Sequence, residues 1–113
     1  MSVIREYVGR TGVSPFEKGL DSLHAPPAAK VTVALIRIEQ GNVSNVKSVG
    51  SGVQECRIDF GPGYRVYFGM DGEMLLVLLG GGSKKRQSRD IASAKERWKD
   101  YQARKREGEP LWL

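Results

Sequence analysis

The sequence has few of the residues that most often build metal and covalent catalytic sites. Its 113 residues include one cysteine, Cys56, and one histidine, His24. A single cysteine excludes an internal disulfide framework and an all-cysteine metal cluster, and it is typical of a protein from a reducing compartment. With one histidine there is no metal-ligand set at usable spacing, and a serine or cysteine nucleophile has no base. We therefore expect no metal and no other cofactor, and we assign His24 to capping the first predicted helix.

Long apolar runs are also absent. The longest, residues 74–79, is far shorter than the roughly 20 residues that cross a bilayer. The first ten residues lack the basic stretch, apolar block and small-residue cleavage site of a secretory signal. We therefore expect a cytoplasmic protein without a membrane partner. Its length, 40% hydrophobic content and 27% charged content fit one globular domain, assigned to residues 1–107, followed by a tail at 108–113.

The positive charge is concentrated near the C-terminus. Residues 1–83 carry eight basic and eight acidic side chains, whereas residues 84–106 carry ten basic and three acidic ones, a net charge of +7. A polyanion such as nucleic acid is the natural partner of this field, because each neutralised phosphate releases condensed counterions. The alternative is a solvated helix face with a basic tail.

The hydrophobic pattern predicts an α+β fold in which a helical hairpin packs on a small, mostly antiparallel sheet and a C-terminal helix follows. Ser14, Pro15 and Glu17 match a capped helix start. Residues 28–40 fit both a strand and a helix, and their length, the prolines before them and Gly41 after them favour a helix. The predicted order is a strand over residues 3–8, helices from residue 15 and over 28–40, strands over 53–60, 64–68 and 74–79, and a helix over 88–105.

Alternation along the second and third predicted strands separates two faces. Cys56 and Ile58 lie on an apolar face, while Glu55 and Arg57 lie on a face that we expect to be a polar platform. A three-residue turn would pair Phe60 with Tyr64. That register places the following residues opposite each other: Ile58 and Val66, Asp59 and Arg65, Arg57 and Tyr67.

A glycine run, Gly80–Gly82, precedes a cluster of cations. It lacks the spacing of a phosphate loop, and the next predicted helix starts several residues later, so we expect these glycines to let the chain leave a central strand sharply. The side chains that would gather near this point are Arg57, Arg65 and Tyr67 from the sheet and Lys84, Lys85 and Gln87 after the glycines.

This cationic cluster suits phosphodiester chemistry. Guanidinium groups clamp phosphate oxygens, and a lysine or tyrosine can move a proton or stabilise charge in the transition state. RNA carries its own nucleophile in the 2′-hydroxyl, so a protein can cleave it without a metal by holding that oxygen in line. The alternative is that Asp59 and Arg65 form only a surface ion pair, worth well under about 1 kcal/mol.

Three segments carry a resemblance to a known family. They read E-C-R-I-D-F-G-P-G-Y-R-V-Y-F over residues 55–68, L-L-G-G-G-S-K over residues 78–84, and Gln87, Asp90, Ile91 and Ala94 in the last helix. With the helix start at Pro15, the sequence resembles the addiction-module killer proteins over residues 14–99. These are HigB-like toxins of the RelE/ParE superfamily of bacterial type II toxin–antitoxin systems.

The resemblance implies a fold and an activity. It implies the α+β fold predicted above and ribosome-dependent cleavage of messenger RNA, with growth arrest that a protein antitoxin relieves. Our first hypothesis is that this cleavage proceeds by attack of the 2′-hydroxyl. By position, Arg65, Arg57 and Lys84 would be the catalytic residues. Family members carry an aspartate where this chain has Ser83, so no proton transfer is assigned there. The residues expected to bind RNA are Lys85, Arg86, Gln87, Tyr67 and Arg89.

The resemblance also implies partners and leaves two other functions open. The partners are a cognate antitoxin, messenger RNA and the ribosome, with operator DNA met only through the antitoxin. Some branches of the superfamily inhibit DNA gyrase without cutting RNA. A nucleic-acid-binding protein without toxicity is the other alternative.

Overall fold

The computed structural model describes residues 3–21, 25–61 and 63–108 and shows an α+β fold. The predicted position of His24 at the end of the first helix lies outside these residues, as does most of the predicted tail. The elements are β1 (Val3–Glu6), α1 (Pro15–Leu20), α2 (Ala28–Glu39), β2 (Val46–Gly50), β3 (Val53–Ile58), β4 (Tyr64–Asp71), β5 (Leu75–Ser83), a 3₁₀ turn (Lys84–Arg86) and α3 (Gln87–Glu107).

The two N-terminal helices begin where the sequence predicts, and α2 ends one residue before its predicted end. The Ser14 hydroxyl accepts a hydrogen bond of 3.2 Å from the Glu17 backbone N–H, and Pro15 occupies the first turn. This arrangement satisfies one of the free donors at the helix start. The segment that fitted two periods is the helix α2, and Gly41 follows it with a φ of 85°, a conformation in which glycine is unstrained.

The sheet has five strands in the order β1-β5-β4-β3-β2. Only the β1–β5 pair is parallel; the other neighbours are antiparallel. No strand was predicted at β2, which forms the edge beside β3. Its short run, V-K-S-V-G, lacks a period of two, because Val46 packs against the first core and Val49, three residues later, against the second.

The predicted register between β3 and β4 is wrong by two residues. Ile58 pairs with Tyr64, and Arg57 pairs with Arg65 rather than with Tyr67. The reason is that β3 ends at Ile58, so Asp59 and Phe60 belong to the turn. A shift of two residues keeps every side chain on its predicted face, because the side-chain period in a strand is two.

Both faces of the sheet are covered, so the expected polar platform is mostly absent. On one face Phe16 of α1 and Val31 and Leu35 of α2 pack on the strands. On the other face α3 lays Ala94, Trp98 and Tyr101 over the sheet. Within β5, residues 76–79 are buried and alternate between the two cores, as predicted for a strand covered on both sides.

The glycine run continues β5 instead of leaving it. Gly80, Gly81 and Gly82 pair with residues 65–67 of β4, and helical structure starts at Lys84, directly after the strand. Side chains occupy the space above the glycines: a Cβ on Gly80 would lie 2.6 Å from Arg97 Nη1, and one on Gly82 would overlap the Asp90 carboxylate. The glycines therefore admit α3 close to the sheet.

No helix among the described residues is long and apolar enough to cross a membrane.

Candidate nucleic-acid interface

Two arginines from neighbouring strands form the centre of the candidate site. Arg57 of β3 and Arg65 of β4 stand directly opposite each other in the register and lie on the same face of the sheet. Arg57 is exposed, whereas Arg65 is only 8% exposed. The structure therefore brings the two predicted arginines together, with Arg57 in contact with solvent and Arg65 buried.

A buried carboxylate, Glu55, holds Arg65 in place. Glu55 is 3% exposed, and its Oε1 lies 3.6 Å from Arg65 Nε. A buried charge is stable only when it is paired and hydrogen-bonded. The Gln87 side-chain amide meets this need by donating a 2.9 Å hydrogen bond to Glu55 Oε2, and Lys47 Nζ of β2 lies 3.6 Å from Oε1. Arg65 therefore pairs with Glu55 and not with Asp59, the partner that the alternative interpretation gave it.

Tyr67 lies beneath the start of α3 instead of on an exposed platform. It is 1% exposed, and burial, together with the neighbouring Glu55 carboxylate, raises the pKa of its hydroxyl. The hydroxyl therefore stays protonated at neutral pH. Tyr67 shares a face of β4 with Arg65 and belongs to the core that α3 covers.

The cations after β5 lie at the same end of the sheet. Ser83 pairs with Tyr64, the neighbour of Arg65, and the Lys84 backbone N–H donates a 3.3 Å hydrogen bond to the Gly63 carbonyl. Lys84 is thus fixed beside the loop that joins β3 to β4. The remaining exposed cations of this end lie on the 3₁₀ turn and the first turn of α3: Lys85, Arg86 and Arg89.

A groove of about 200 Å³ opens beside the two arginines. Arg57, Arg65 and Glu55 line one wall, and residues 44–47, at the start of β2, line the other. Neither Glu55 nor Lys47 was predicted as a site residue. The alternating pattern placed Glu55 on the same face as Arg57, but a single sequence does not show that Gln87 bonds to it.

Asp90, on the first turn of α3, is a second acidic group near this end. Burial raises the pKa of its carboxyl, although Arg86, Arg97 and Arg89 act in the opposite direction. Its Oδ2 is buried and has no hydrogen-bond partner among the described residues. Asp90 packs against Gly82, which pairs with Arg65.

The part of the chain that the structure describes contains no cluster of three histidine, cysteine, aspartate or glutamate side chains that could hold a metal ion. Cys56 is buried in the first core, and burial raises the pKa of its thiol, so the reactive thiolate is disfavoured. The chemistry that the site can perform with its own groups is therefore anion binding, charge neutralisation and proton transfer.

The fold and site define an α+β protein with a cationic groove at one end of its sheet. No family model matches the chain. The chain is 45% identical over 67 residues to an uncharacterised protein of Haemophilus influenzae, and the match covers 59% of this chain and 68% of that protein. The chain therefore belongs to the same family as the Haemophilus protein, whose name states no activity.

Proposed function

We propose that this protein is the toxin of a type II toxin–antitoxin system and that it cleaves messenger RNA on the ribosome. Two findings support the proposal. The sequence resembles the HigB-like toxins of the RelE/ParE superfamily across the strands that build the site. The residues that this resemblance selects, Arg57, Arg65 and Lys84, lie at one end of the sheet.

The observation that carries the proposal is the direct pairing of Arg57 with Arg65 at the wall of an open groove. Two guanidinium groups on adjacent strands can bind different oxygens of one phosphate, since strands lie roughly 4.8 Å apart. Like charges opposite each other are destabilising in a sheet, and Glu55 offsets only one of the two arginines, so a bound anion would stabilise the pair.

In the proposed reaction the 2′-oxygen of a ribose attacks the neighbouring phosphorus. The bond from 2′-oxygen to phosphorus forms as the bond to the 5′-oxygen breaks. The 2′-hydroxyl gives its proton to water and the leaving 5′-oxygen takes one from water, which leaves a 2′,3′-cyclic phosphate and a 5′-hydroxyl end. Arg57 and Arg65, the second oriented by Glu55, bind the phosphate and stabilise the added negative charge of the transition state. Lys84 supplies a further cation near the leaving oxygen.

The charge distribution supports the proposed partners. The exposed cations Lys85, Arg86 and Arg89 suit docking on ribosomal RNA, whose phosphates provide the opposite charge. A protein antitoxin that neutralises this end needs an acidic surface, and operator DNA would be reached only through that antitoxin.

The proposal is tested in a translation extract by mapping the ends of a reporter messenger RNA after the purified protein is added. We expect new 5′-hydroxyl ends that appear only while ribosomes translate, paired with 2′,3′-cyclic phosphate ends. Intact messenger RNA combined with altered plasmid supercoiling would replace the nuclease with a gyrase inhibitor. Intact RNA, unchanged supercoiling and harmless expression without antitoxin would reject the toxin assignment.

A further inference from the structure

The edge strand β2, to which no function has so far been assigned, supplies one wall of the groove beside the arginines. Its Lys47 stands directly opposite Glu55 in the register and is 66% exposed. Lys47 is therefore a cation that contacts the site and remains open to solvent.

Strand register places Lys47 on the same face as the two arginines. Lys47 pairs with Glu55, so the two side chains share a face. Because side chains alternate along a strand, Arg57, two residues after Glu55, lies on that face too, and so does Arg65, its partner on β4. The Arg57 backbone N–H donates a 3.0 Å hydrogen bond to the Asn45 carbonyl, which continues the β2 backbone beside Arg57. Three neighbouring strands and the turn after a fourth thus contribute one cation each at this end: Lys47 from β2, Arg57 from β3, Arg65 from β4 and Lys84 directly after β5.

The charge of the groove exceeds what its own carboxylate neutralises. Lys47, Arg57 and Arg65 give three positive charges against the one negative charge of Glu55, a net of +2. Glu55 is already contacted by Arg65 and by the neutral Gln87, so Lys47 is not needed to balance it. Its flexible stem and its exposure let the ammonium group move from Glu55 to an incoming anion.

We infer that β2 extends the site into a track for consecutive phosphates of single-stranded RNA, in which Lys47 binds the phosphate next to the scissile one. Three steps between neighbouring strands span about 14 Å, which is longer than one phosphate group. The identification of the scissile phosphate at Arg57 and Arg65 rests on the proposed function. The track itself requires only that the protein bind RNA.

The inference is tested by measuring how tightly the protein binds two RNAs that it cannot cut, a 2′-O-methyl dinucleotide and a 2′-O-methyl hexanucleotide. The dinucleotide has one phosphodiester, and the hexanucleotide has several. We expect Lys47→Gln to weaken hexanucleotide binding roughly fivefold at low salt and to reduce the slope of log affinity against log salt by about 0.7, the value for one phosphate contact in a single strand. Dinucleotide binding should stay within about twofold of the unaltered protein.

Lys18→Gln is the matched control, because it removes the same charge from an exposed position on α1, on the opposite face of the sheet. Equal losses for Lys18→Gln and Lys47→Gln, or equal losses for the two RNAs, would overturn the track. The two proposals can fail separately. If Lys47→Gln alone weakens binding of the hexanucleotide but not of the dinucleotide, while the unaltered protein leaves translated messenger RNA intact, the track is supported and the nuclease is rejected.

Discussion

Arg65 is the residue in which structural and proposed catalytic roles meet. Its guanidinium is almost fully buried against Glu55, so removing it leaves a carboxylate below the surface with less compensation. A loss of activity in an Arg65 variant would therefore not by itself show contact with RNA. Arg57 is exposed, so its side chain can be replaced without leaving a buried charge unpaired. A loss of activity in an Arg57 variant therefore reports on RNA binding or catalysis and not on folding.

The coupling between Arg65 and Glu55 gives a stability prediction. We expect Arg65→Gln to lower the free energy of unfolding by about 3 kcal/mol, because Glu55 then loses its buried partner. In a Glu55→Gln background the same substitution should cost about half as much or less, since no buried carboxylate remains. Urea denaturation of the four proteins in this cycle measures both values, and equal costs in the two backgrounds would contradict the ion pair.

Asp71 gives a pH prediction at the far end of the sheet. Hydrogen bonds from Lys105 and then from Tyr101 lower the pKa of its carboxyl below the ordinary value of 3.8. A lowered folded-state pKa means that the contribution to stability is complete above about pH 5 and is lost as the pH falls through the folded-state pKa. Asp71→Asn should therefore cost about 1 kcal/mol at pH 7 and progressively less below about pH 4.

Denaturant unfolding of both proteins across this pH range measures the difference between them. A difference that stays constant with pH would show that the Asp71 carboxylate is not bound as the structure has it.

At the scale of elements, the packing of α3 on the sheet depends on the absence of a side chain at Gly69 of β4. A Cβ at that position would lie 2.6 Å from two carbons of the Trp98 ring, which forms the centre of the second core. We expect Gly69→Ala to cost about 1–3 kcal/mol, the usual range for overpacking. Gly9→Ala is the control, because the nearest heavy atom there is 4.0 Å away and φ is not positive. If thermal unfolding shows the same loss of stability for the two alanine variants, the Trp98 ring does not lie as close to Gly69 as the structure has it.

The elements predicted most accurately from the sequence are those with local signals. The capping residue Ser14 and the change of period at Val53 required no knowledge of distant contacts. The β3–β4 register was wrong by two residues because the length of the loop, rather than the pattern of the strands, decides where pairing begins. The strand β2 was missed because its two valines, three residues apart, pack against different cores and leave no period of two.

Only the part of the site that depends on local patterns was predicted from the sequence. Alternation placed Arg57 and Arg65 on one face correctly, because that result depends only on the period of the strand. Lys47 lies on the strand paired with that of Glu55, whereas Gln87 is 32 residues from Glu55, and their contacts exist only after β2 and α3 have packed. Such contacts leave no periodic signal in a single sequence.

For the molecule as a whole, the two faces of the sheet have different covers. The N-terminal helices cover one face with apolar contacts, while α3 covers the other. The 3₁₀ turn and α3 together carry ten basic and four acidic side chains, although Arg104 among them is buried. The groove opens between the start of β2 and the side chains of Glu55, Arg57 and Arg65. Gln87, at the start of α3, reaches it only through its hydrogen bond to Glu55, so one helix both completes the second core and holds a wall residue of the groove. The stability of the fold and the geometry of the groove are therefore linked through α3.

The most direct measurement of the central claim compares the rate at which Arg57→Gln and Arg5→Gln proteins cut a translated messenger RNA. Both substitutions remove one exposed arginine, but Arg5 lies on β1, at the opposite edge of the sheet. We expect Arg57→Gln to slow cleavage by roughly a hundredfold or more, the usual effect of losing one group that stabilises transition-state charge, with unchanged thermal stability. Arg5→Gln should cut at the rate of the unaltered protein. Equal cleavage rates for the two variants would contradict a phosphodiester site at Arg57 and Arg65.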